Sequence, residues 1–499
     1  MSDVVLGLDC GNTAIKAAIF DAAGNEIVSA ARAIETQYPE PDHTELDMGR
    51  LWLLACEAIG DVLAHPALSG IQISAIGVSG HGNGAYLLDK HHQPLLAIQS
   101  LDSRAGDLVA DFQAGTHYSR MRTLNRQGSW SSQTATLLKW LKKNRSSLYA
   151  NIGTVFFCKD YLNFCLTDQI KTDYSDLSAS GLFDFTQDDI STELLTLFDI
   201  NDIAAAIPAP IQSEQLLGHV TAKASELTGL PEGIPVVGGM LDVVASAIGS
   251  GVWDSNDASI VTGTWSINQV VTKTLPSEQL FMTCLFPQER FLAMENSATS
   301  ASNLEWFVRE FFALEKQQAA SLNQSIFDVC NQQIEQVEFN SKLPLFHPYL
   351  YGSGDNCAAR GNFFDLAGWH KKPDLLYAVY EGISFGHLEH VMKLNKAGIH
   401  FSHALLTGGG AKSEFWCQLF ADVLNVEIHI TQCSESGAKG VAMAAAYTAG
   451  FFTTFEDSVK SMRSKVQVFM PDSTRHAELA KRFARYRHVS DWINHFPPK

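Results

Sequence analysis

Apolar and polar positions alternate in short runs from the start of the chain. The stretch VLGLDCGNTAIKAAIFDAAGNEIV (residues 5–28) predicts three consecutive strands, with a hairpin turn over residues 21–25, where Gly and Asn suit a tight reversal. A helix is predicted from about Asp47 to Ala64, because its apolar side chains recur every three or four residues. The nearly all-apolar run ISAIGVSG (residues 73–80) predicts a strand buried in a parallel sheet.

Three later stretches also place a glycine-rich turn after an apolar strand: IPVVGGMLDVVASAIGSG (residues 234–251), ASIVTGTWSINQVV (258–271) and HALLTGGGAKSEFWCQLFADVL (403–424). This alternation predicts the α/β class. The second stretch also repeats the strand, turn and strand of the N-terminus, which suggests two related halves. We predict a hinge at residues 249–251 and domains of residues 1–250 and 251–499.

Composition narrows the class of protein. With 499 residues the chain exceeds one ordinary hydrophobic core, so two or three domains are expected. The net charge of -18 argues against nucleic acid or an anionic membrane as the main partner. The 9 cysteines contain no CxxC pair and indicate reduced thiols, which predicts a cytoplasmic protein. We expect no secretory signal and no membrane span.

The first predicted hairpin carries residues suited to binding phosphate. A turn made of Gly11, Asn12 and Thr13 presents backbone N–H groups and a hydroxyl to one point, which suits phosphate oxygens. Asp9 could hold magnesium, directly or through water, and Lys16 could meet a phosphate with its charge. The stretch alone is equally compatible with a plain hairpin. The chain contains no GxxxxGK[ST] sequence, which argues against a P-loop nucleotide site.

The opening stretch resembles the first phosphate motif of the actin-like ATPases, and the chain as a whole is similar to the FGGY carbohydrate kinases. The segments that carry the resemblance occur in family order: SGHGNGAYLLD, LDSRA, KDYLNFCLTDQIKTDYSDLSASGLFD, GGMLDVVASAIGSGV, TGTWS, LPLFHPYLYG, EGISFG, TGGGAKSEFWCQLFADVL and SESGAKGVAMAAA. The resemblance implies two actin-like, ribonuclease H-like α/β domains that face a cleft. Each would hold a mixed five-stranded sheet flanked by helices.

The resemblance also implies roles for individual residues. Asp242 falls at the position of the catalytic base, although an Asp at a helix start is also a common N-cap. The residues expected to bind ATP are Gly11, Asn12, Thr13, Lys16, Gly263, Thr264, Ala301, Glu305, Gly409, Gly410 and Ser413. The last two segments, TGGGAKSEFWCQLFADVL and SESGAKGVAMAAA, are expected on the adenosine side.

The substrate segments depart from the common family pattern. Where D-xylulose kinases of the family usually have Gln-Met-His-Gly, this chain has residues 81–84, HGNG, and the usual Trp-Asn-Asp-x-Arg becomes SLDSR at residues 100–104. The residues expected to bind the sugar are His81, Asn83, Asp102, Arg104 and Asp242. Asp102 and Arg104 could instead form a plain surface ion pair, and His81 could be an ordinary hydrogen-bonded histidine. The altered segments favour a ketose other than D-xylulose.

The resemblance thus implies an ATP- and magnesium-dependent kinase that phosphorylates a ketopentose, L-xylulose first, at a primary hydroxyl. The segment NLEWF, the sequence GTW and the G-x-G at residues 82–84 favour that branch of the family. D-Xylulose, L-ribulose, a keto-aldonate or a polyol are the alternative substrates. Alternatives of another class are a non-enzymatic actin-like ATP switch and a sugar-binding regulator. The expected partners are the sugar and ATP, without nucleic acid or membrane, and a homodimer is the expected assembly.

Overall fold

The computed structural model describes residues 3–353, 356, 358–431, 433 and 435–495. These residues form two compact units, neither of which is continuous in sequence. The first unit contains the chain up to Trp253 together with residues 271–293 and 433–464. The second contains residues 254–270 and 294–432 and the chain from Lys465 onward.

The strands before Trp253 are β1 (Val4–Cys10), β2 (Ala14–Asp21), β3 (Glu26–Ala33), β4 (Glu45–Leu46), β5 (Ile73–Gly80), β6 (Ala85–Asp89), β7 (Pro94–Ile98), β8 (Ile152–Phe156), β9 (Thr172–Asp173), β10 (Phe183–Asp184), β11 (Asp189–Ile190), β12 (Pro210–Ile211), β13 (Leu216–His219), β14 (Pro235–Val237) and β15 (Met240–Leu241). The later strands are β16 (Ala258–Thr262), β17 (Ser266–Thr272), β18 (Met282–Phe286), β19 (Arg290–Ser297), β20 (Leu345–His347), β21 (Asn362–Phe364), β22 (His403–Gly408), β23 (Glu427–Thr431) and β24 (Val466–Phe469).

The α-helices are α1 (Met48–Leu63), α2 (Gly106–Ala114), α3 (Tyr118–Asn125), α4 (Thr134–Asn144), α5 (Ser146–Tyr149), α6 (Cys158–Thr167), α7 (Tyr174–Ala179), α8 (Thr192–Leu197), α9 (Ala222–Thr228), α10 (Asp242–Ser250), α11 (Ala301–Phe311), α12 (Ala313–Ser321), α13 (Ile326–Ile334), α14 (Lys372–Lys396), α15 (Glu414–Leu424), α16 (Ser436–Thr448), α17 (Phe455–Ser461) and α18 (Ser473–Asn494). Short 3-10 turns cover Pro66–Leu68, Asn201–Ala206 and Gly409–Lys412. No helix in the described ranges has both the length and the apolar content needed to cross a membrane.

The main sheet of the first unit has the strand order β13, β14, β5, β1, β2, β3, and β15 adds a seventh strand beside β5. Strand β1 runs antiparallel to β2 and parallel to β5, so the predicted mixed sheet is confirmed. The turn predicted at residues 21–25 closes β2 and β3, with Gly24 at a φ of 78° where a side chain would be strained. The predicted helix is α1, and its apolar stripe packs into the core with β1 and β5.

Helix α16 completes the first unit, although it lies far along the chain. It packs backbone to backbone on β1, β5 and α10, because glycines line the contact. A Cβ atom on Gly7, Gly249 or Gly440 would lie 1.9 Å from a backbone oxygen across the contact, and one on Gly77 would lie at 2.2 Å. Side chains there would force the backbones apart, so these glycines permit the contact.

In the second unit the strand order is β19, β17, β16, β22, β23, β24, although the end of β17 and the start of β19 are assigned to the first unit. Strand β16 is antiparallel to β17 and parallel to β22, as β1 is to β2 and β5. The repeat between the two halves is therefore real. The C-terminal helix α18 packs onto this unit through Arg482, which donates to both carboxylate oxygens of Glu381 at 2.6 and 2.7 Å.

Two details differ from the sequence-based expectation. The sheets exceed five strands, because β13 and β15 flank the five central strands of the first sheet and β24 extends the second. The division into units also differs from a single boundary after residue 250. Gly249 lies inside α10, in close contact with α16, and that contact assigns residues 433–464 to the first unit.

Candidate active site

The first phosphate hairpin lies between β1 and β2. Asp9, near the end of β1, is opposite Lys16 in the antiparallel register and beside Ser79 in the parallel one. The Ser79 hydroxyl donates to Asp9 Oδ1 at 2.5 Å, which orients the carboxylate. The turn is closed by the Gly11 N–H, which donates to the Ala14 carbonyl at 3.0 Å. The sequence therefore placed the hairpin correctly, and its phosphate-binding role remains a prediction.

Of the remaining turn residues, Asn12 is held by hydrogen bonds to Gln99 and Ser100, whereas Thr13 faces solvent. The Asn12 side-chain amide donates to Ser100 Oγ at 2.9 Å, and the Asn12 backbone carbonyl accepts from the Gln99 side chain at 2.8 Å. Thr13 is exposed, so its hydroxyl is accessible at the surface of the first unit. The turn thus joins the predicted phosphate segment to the SLDSR segment expected to meet the sugar.

Helix α16 supplies two groups to this hairpin that the sequence-based prediction missed. Lys16 Nζ lies 2.9 Å from Glu435 Oε2, immediately before α16 begins. A Cβ on Gly437 would come within 2.5 Å of Asp9 Oδ2, so only glycine fits against the carboxylate there. The described residues 435–446 of the segment SESGAKGVAMAAA therefore belong to the first unit, and the expected place of this segment on the adenosine side stays a prediction. Its run of small residues was the available signal of close backbone packing.

Asp242 is the first residue of α10, and Leu241 occupies the cap position without a side-chain cap bond. Asp242 therefore opens a helix as predicted, and the alternative of an N-cap Asp differs from the structure by one residue. Asp242 Oδ1 accepts from the Val243 N–H at 2.7 Å. Burial, and secondly the charge of Asp9, raise the pKa of Asp242 to about 7. A carboxylate in this state can accept a proton near neutral pH, as a general base must.

The pH dependence of turnover follows from that shift. Only ionised Asp242 can accept a proton, so kcat/KM is expected to fall as the pH decreases through about 7. Well below that value the rate should drop about tenfold per pH unit. Initial rates between pH 5 and 9 at low sugar concentration measure this limb, which reports the free enzyme. A rate that stays constant from pH 9 down to pH 5 would contradict a base with a pKa of about 7.

The HGNG segment forms a tight turn after β5. His81 is buried, its Nε2 lies 2.8 Å from the Tyr86 hydroxyl, and its Nδ1 has no partner among the described residues. Asn83 has a φ of 58°, and its Oδ1 accepts from the Thr134 N–H at 3.3 Å. A Cβ on Gly82 would lie 2.0 Å from Leu241 Cδ1, so the segment packs directly on the residue before Asp242. The charge of His81 also opposes the rise that burial causes in the pKa of Asp242, so His81 lies within electrostatic reach of the proposed base.

Asp102 and Arg104 form a buried ion pair. Arg104 Nε donates to Asp102 Oδ1 at 2.8 Å, and its Nη2 lies 2.8 Å from both Asp102 Oδ2 and Glu45 Oε1. Asp102 also accepts from the Thr44 N–H at 2.7 Å. Most of their hydrogen-bonding groups are therefore used within the protein. Among the described residues, Arg104 Nη1 has no partner and stays available as a donor.

A buried charge cluster lies in the first unit and is connected to Leu241 by hydrogen bonds. Lys159 Nζ is 2.5 Å from Asp160, 2.8 Å from Asp173 and 2.9 Å from Asp176, and all four side chains are buried. Burial alone would lower the pKa of Lys159, but the three carboxylates hold it well above its usual range. Burial raises the pKa of Asp160 and Asp176.

The second phosphate hairpin joins β16 and β17 in the second unit. The Gly263 carbonyl accepts from the Ala301 N–H at 2.9 Å, and the Thr264 carbonyl accepts from Ser302 Oγ at 3.1 Å. Thr264 and Trp265 are exposed at the tip of the turn. The start of α11 is thus fixed to the hairpin, with Ala301 beside Gly263, and the adenosine-side role of Ala301 stays a prediction.

The glycine run after β22 lies next to the same hairpin. Gly408 is in register with Thr262, and the Gly410 N–H donates to Thr262 Oγ1 at 3.1 Å. Ser413 caps α15, because its Oγ accepts from the Trp416 N–H at 3.2 Å. The predicted nucleotide segments of this unit therefore converge at adjoining strand ends. The remaining predicted residues are Gly409, in the 3-10 turn after β22, and Glu305, exposed on α11.

Magnesium suits the donor set around Asp9. Its carboxylate is a hard oxygen ligand of the kind that magnesium prefers. Burial raises the pKa of Asp9, the Ser79 hydrogen bond and Lys16 oppose that rise, and the charge of Glu435 adds to it. The nearest cation, Lys16, is already paired with Glu435. A divalent cation would therefore offset uncompensated negative charge at this position.

Comparisons with known proteins agree with this geometry. Models of the N-terminal and C-terminal domains of the FGGY family of carbohydrate kinases match residues 4–249 and 258–449. The chain is 33% identical over 493 residues to an L-xylulose/3-keto-L-gulonate kinase from Escherichia coli strain K12, covering 98% of this chain and 97% of that protein. It is 34% identical over 485 residues to a probable L-xylulose kinase from Haemophilus influenzae, covering 96% and 97%.

A solved structure shows the same fold. The crystal structure of xylulose kinase from Rhodospirillum rubrum matches with a TM-score of 0.89 and 25% identity, covering 98% of this chain and 99% of that one. The predicted actin-like α/β fold is thereby confirmed. The chain matches both domain models of the family and aligns with nearly the full length of each relative. It therefore belongs to the FGGY family of carbohydrate kinases and is an ATP-dependent sugar kinase.

Proposed function

We propose that this kinase transfers the γ-phosphoryl group of ATP to a primary hydroxyl of a ketopentose, L-xylulose first, with Asp242 as the general base. The observation that carries this proposal is the desolvated Asp242 carboxylate, whose pKa of about 7 suits proton acceptance. Two further observations support the assignment. Leu241, just before Asp242, packs against Gly82 of the HGNG turn, and the negative charge of Asp9 adds to the rise that burial causes in the pKa of Asp242.

The roles of the other residues follow from phosphoryl-transfer chemistry. The transition state spreads negative charge over the phosphoryl oxygens, so catalysis depends on positioning and on positive or dipolar groups. The turns at residues 11–13 and 263–264 would donate backbone N–H groups and hydroxyls to the phosphates. Lys16 would add a positive charge once its pairing with Glu435 is exchanged for a phosphate. Asp9 would hold magnesium, which supplies charge neutralisation at the phosphates.

Asp242 would orient the sugar hydroxyl and accept its proton as the oxygen attacks phosphorus. His81 Nδ1, the Asn83 side chain and Arg104 Nη1 offer further polar groups near the first-unit substrate segments. The nucleotide would use the second-unit groups, with Ala301, Glu305, residues 409–410 and Ser413 on the adenosine side.

The relatives support the choice of sugar. Two relatives at 33% and 34% identity are named for L-xylulose, and one of them also for 3-keto-L-gulonate. The alignments cover 97% of each of these relatives. The departures from the common family pattern at HGNG and SLDSR favour a sugar other than D-xylulose. A keto-aldonate is therefore the second candidate substrate. The non-enzymatic ATP switch is not favoured, because the relatives are kinases.

A substrate panel tests the proposal. ADP release at fixed ATP and magnesium is measured with L-xylulose, D-xylulose, L-ribulose, 3-keto-L-gulonate, glycerol and an aldopentose. We expect L-xylulose to give the highest kcat/KM, by roughly 10-fold or more over its epimers, because a site that hydrogen-bonds specific hydroxyls leaves buried groups unpaired with the wrong one. Assays without sugar give the background. Highest activity with glycerol or the aldose would exclude the ketopentose assignment.

The remaining features of the proposal concern the cell. We place the activity in the cytoplasm, where ATP is supplied, and the free thiols of the described cysteines are compatible with a reducing compartment. A homodimer remains a prediction, which light scattering of the purified protein would decide.

A further inference from the structure

We infer that Ser175 is a positioning residue for Asp242, and that Asp173 and Lys159 hold Ser175 in place. This inference rests on the proposed role of Asp242 as the general base. It concerns a residue in the KDYLNFCLTDQIKTDYSDLSASGLFD segment, which the sequence identified only as a family signature.

A short series of hydrogen bonds connects the buried cluster to the proposed base. The Leu241 N–H donates to Ser175 Oγ at 2.9 Å, and the Ser175 hydroxyl donates to Asp173 Oδ2 at 2.6 Å. Asp173 Oδ1 lies 2.8 Å from Lys159 Nζ. Leu241 directly precedes Asp242, so Ser175 fixes the backbone one residue before the base.

The other contacts of this peptide show why one hydrogen bond matters. Strand β15 is only two residues long, and it pairs with the end of β5, where Leu241 is opposite Gly80. The cap position of α10 lacks a side-chain hydrogen bond. The Leu241 N–H, just before the first turn of α10, donates to the Ser175 hydroxyl. Loss of that acceptor would leave a buried N–H unsatisfied at the start of the catalytic helix.

Ser175 itself has little freedom to move. Its side chain is buried, its own N–H donates to Asp173 Oδ2 at 2.9 Å, and Asp173 caps α7. Lys159 draws Asp173, Asp160 and Asp176 together in the interior of the first unit. A rigid support of this kind keeps a catalytic group within the small tolerance that proton transfer demands.

Ser213 provides a matched control within the same cluster. Its hydroxyl also donates to Asp173 Oδ2, at 2.7 Å, and its side chain is buried as well. Of the two serines, however, only Ser175 accepts from the peptide next to Asp242. Replacing either serine with alanine removes one donor from Asp173, but Ser175→Ala alone releases Leu241.

The experiment measures steady-state kinetics of the full-length variants Ser175→Ala, Ser213→Ala and Asp242→Asn, and of the double variant Ser175→Ala/Asp242→Asn. Because a small misplacement of a catalytic group can cost up to ~10² in rate, we expect Ser175→Ala to lower kcat roughly 10- to 100-fold. The KM for ATP should stay within about twofold, since the second-unit groups are unchanged, and Ser213→Ala should keep kcat within about threefold of the unmodified enzyme. In the Asp242→Asn background the Ser175→Ala change should have almost no further effect, because the group that it positions is gone.

Equal losses of kcat in Ser175→Ala and Ser213→Ala would overturn the inference, and so would a Ser175→Ala loss that is undiminished in the Asp242→Asn background. Near-normal kcat in Asp242→Asn alone would instead reject the proposed base. If Ser175→Ala does not fold, Ser175→Cys takes its place, since a thiol keeps the volume but accepts hydrogen bonds weakly. Full kcat in that cysteine variant would overturn the inference, and a reduced kcat with unchanged KM for ATP supports it.

Discussion

Replacing Asp242 with asparagine is expected to lower kcat by ~10²–10⁴, the usual contribution of a positioned acid or base. Asparagine keeps the size of the side chain but cannot accept the proton from the sugar hydroxyl. The KM for ATP should change little, because the nucleotide groups lie on other elements. Coupled measurement of ADP release at saturating sugar and ATP gives kcat, and calorimetry gives the affinity for ATP.

Stability measurements distinguish this result from misfolding. The pKa of Asp242 is raised to about 7, above that of an unfolded Asp, so its ionised form destabilises the folded state increasingly as the pH rises towards and through 7. The asparagine side chain of the variant carries no charge, and the Tm at pH 8 should therefore equal or exceed that of the unmodified enzyme. The exposed Asp61 offers a control, because Asp61→Asn should leave kcat unchanged. Near-normal turnover in a folded Asp242→Asn enzyme would remove this residue from the mechanism.

Replacing Lys159 with methionine is expected to cost about 3–5 kcal/mol of unfolding free energy at pH 8. The ammonium is fully buried and contacts three buried carboxylates, so its removal leaves their negative charge uncompensated. Burial already raises the pKa of Asp160 and Asp176, and these groups should take up protons as the pH falls. The deficit should therefore shrink between pH 8 and pH 5. Urea denaturation at both pH values measures it.

Lys142 is the matched comparison for this substitution. Its Nζ lies 2.9 Å from Asp202 and 3.4 Å from Asp199, but the side chain is about one-third exposed (32%). Lys142→Met should change the unfolding free energy by only about 0–1 kcal/mol, because water solvates the carboxylates that it leaves behind. Similar costs for the two lysines would show that burial of the Lys159 cluster adds nothing to its stabilising effect.

Local patterns in the sequence predicted much of the fold. The hairpin at β1 and β2, strand β5 and helix α1 follow from periodicity and turn residues, which act over a few positions. The prediction of Asp242 needed more, because an Asp after a strand and two glycines is also typical of a helix cap. Family resemblance supplied that assignment, and the structure added the desolvation that gives the carboxylate a suitable pKa.

Contacts between segments that are distant in sequence could not be predicted from local patterns. Lys16 pairs with Glu435, and no periodicity connects two residues so far apart. Asp102 and Arg104 were predicted as sugar ligands, and only the structure shows that they also form a buried ion pair with each other. Lys159 is charged, so composition alone would place it at the surface, and only three converging carboxylates explain its burial. The partners of these side chains are determined by tertiary packing. That packing depends on the complete fold and cannot be read from any short stretch of the sequence.

The position of α16 has a consequence for the order of events during protein synthesis. Gly7 and Gly77 allow the backbone of α16 to pack closely against β1 and β5, but that helix begins only at Ser436. At ~5–20 residues per second, the ribosome needs roughly 20–70 seconds to make the intervening residues. Throughout that interval the sheet of the first unit exposes an apolar groove, and a nascent chain of residues 1–250 lacks the helix that covers it. The first unit therefore cannot complete its fold until α16 has been synthesised, and chaperones that bind exposed apolar surface have their opportunity before residue 448 emerges.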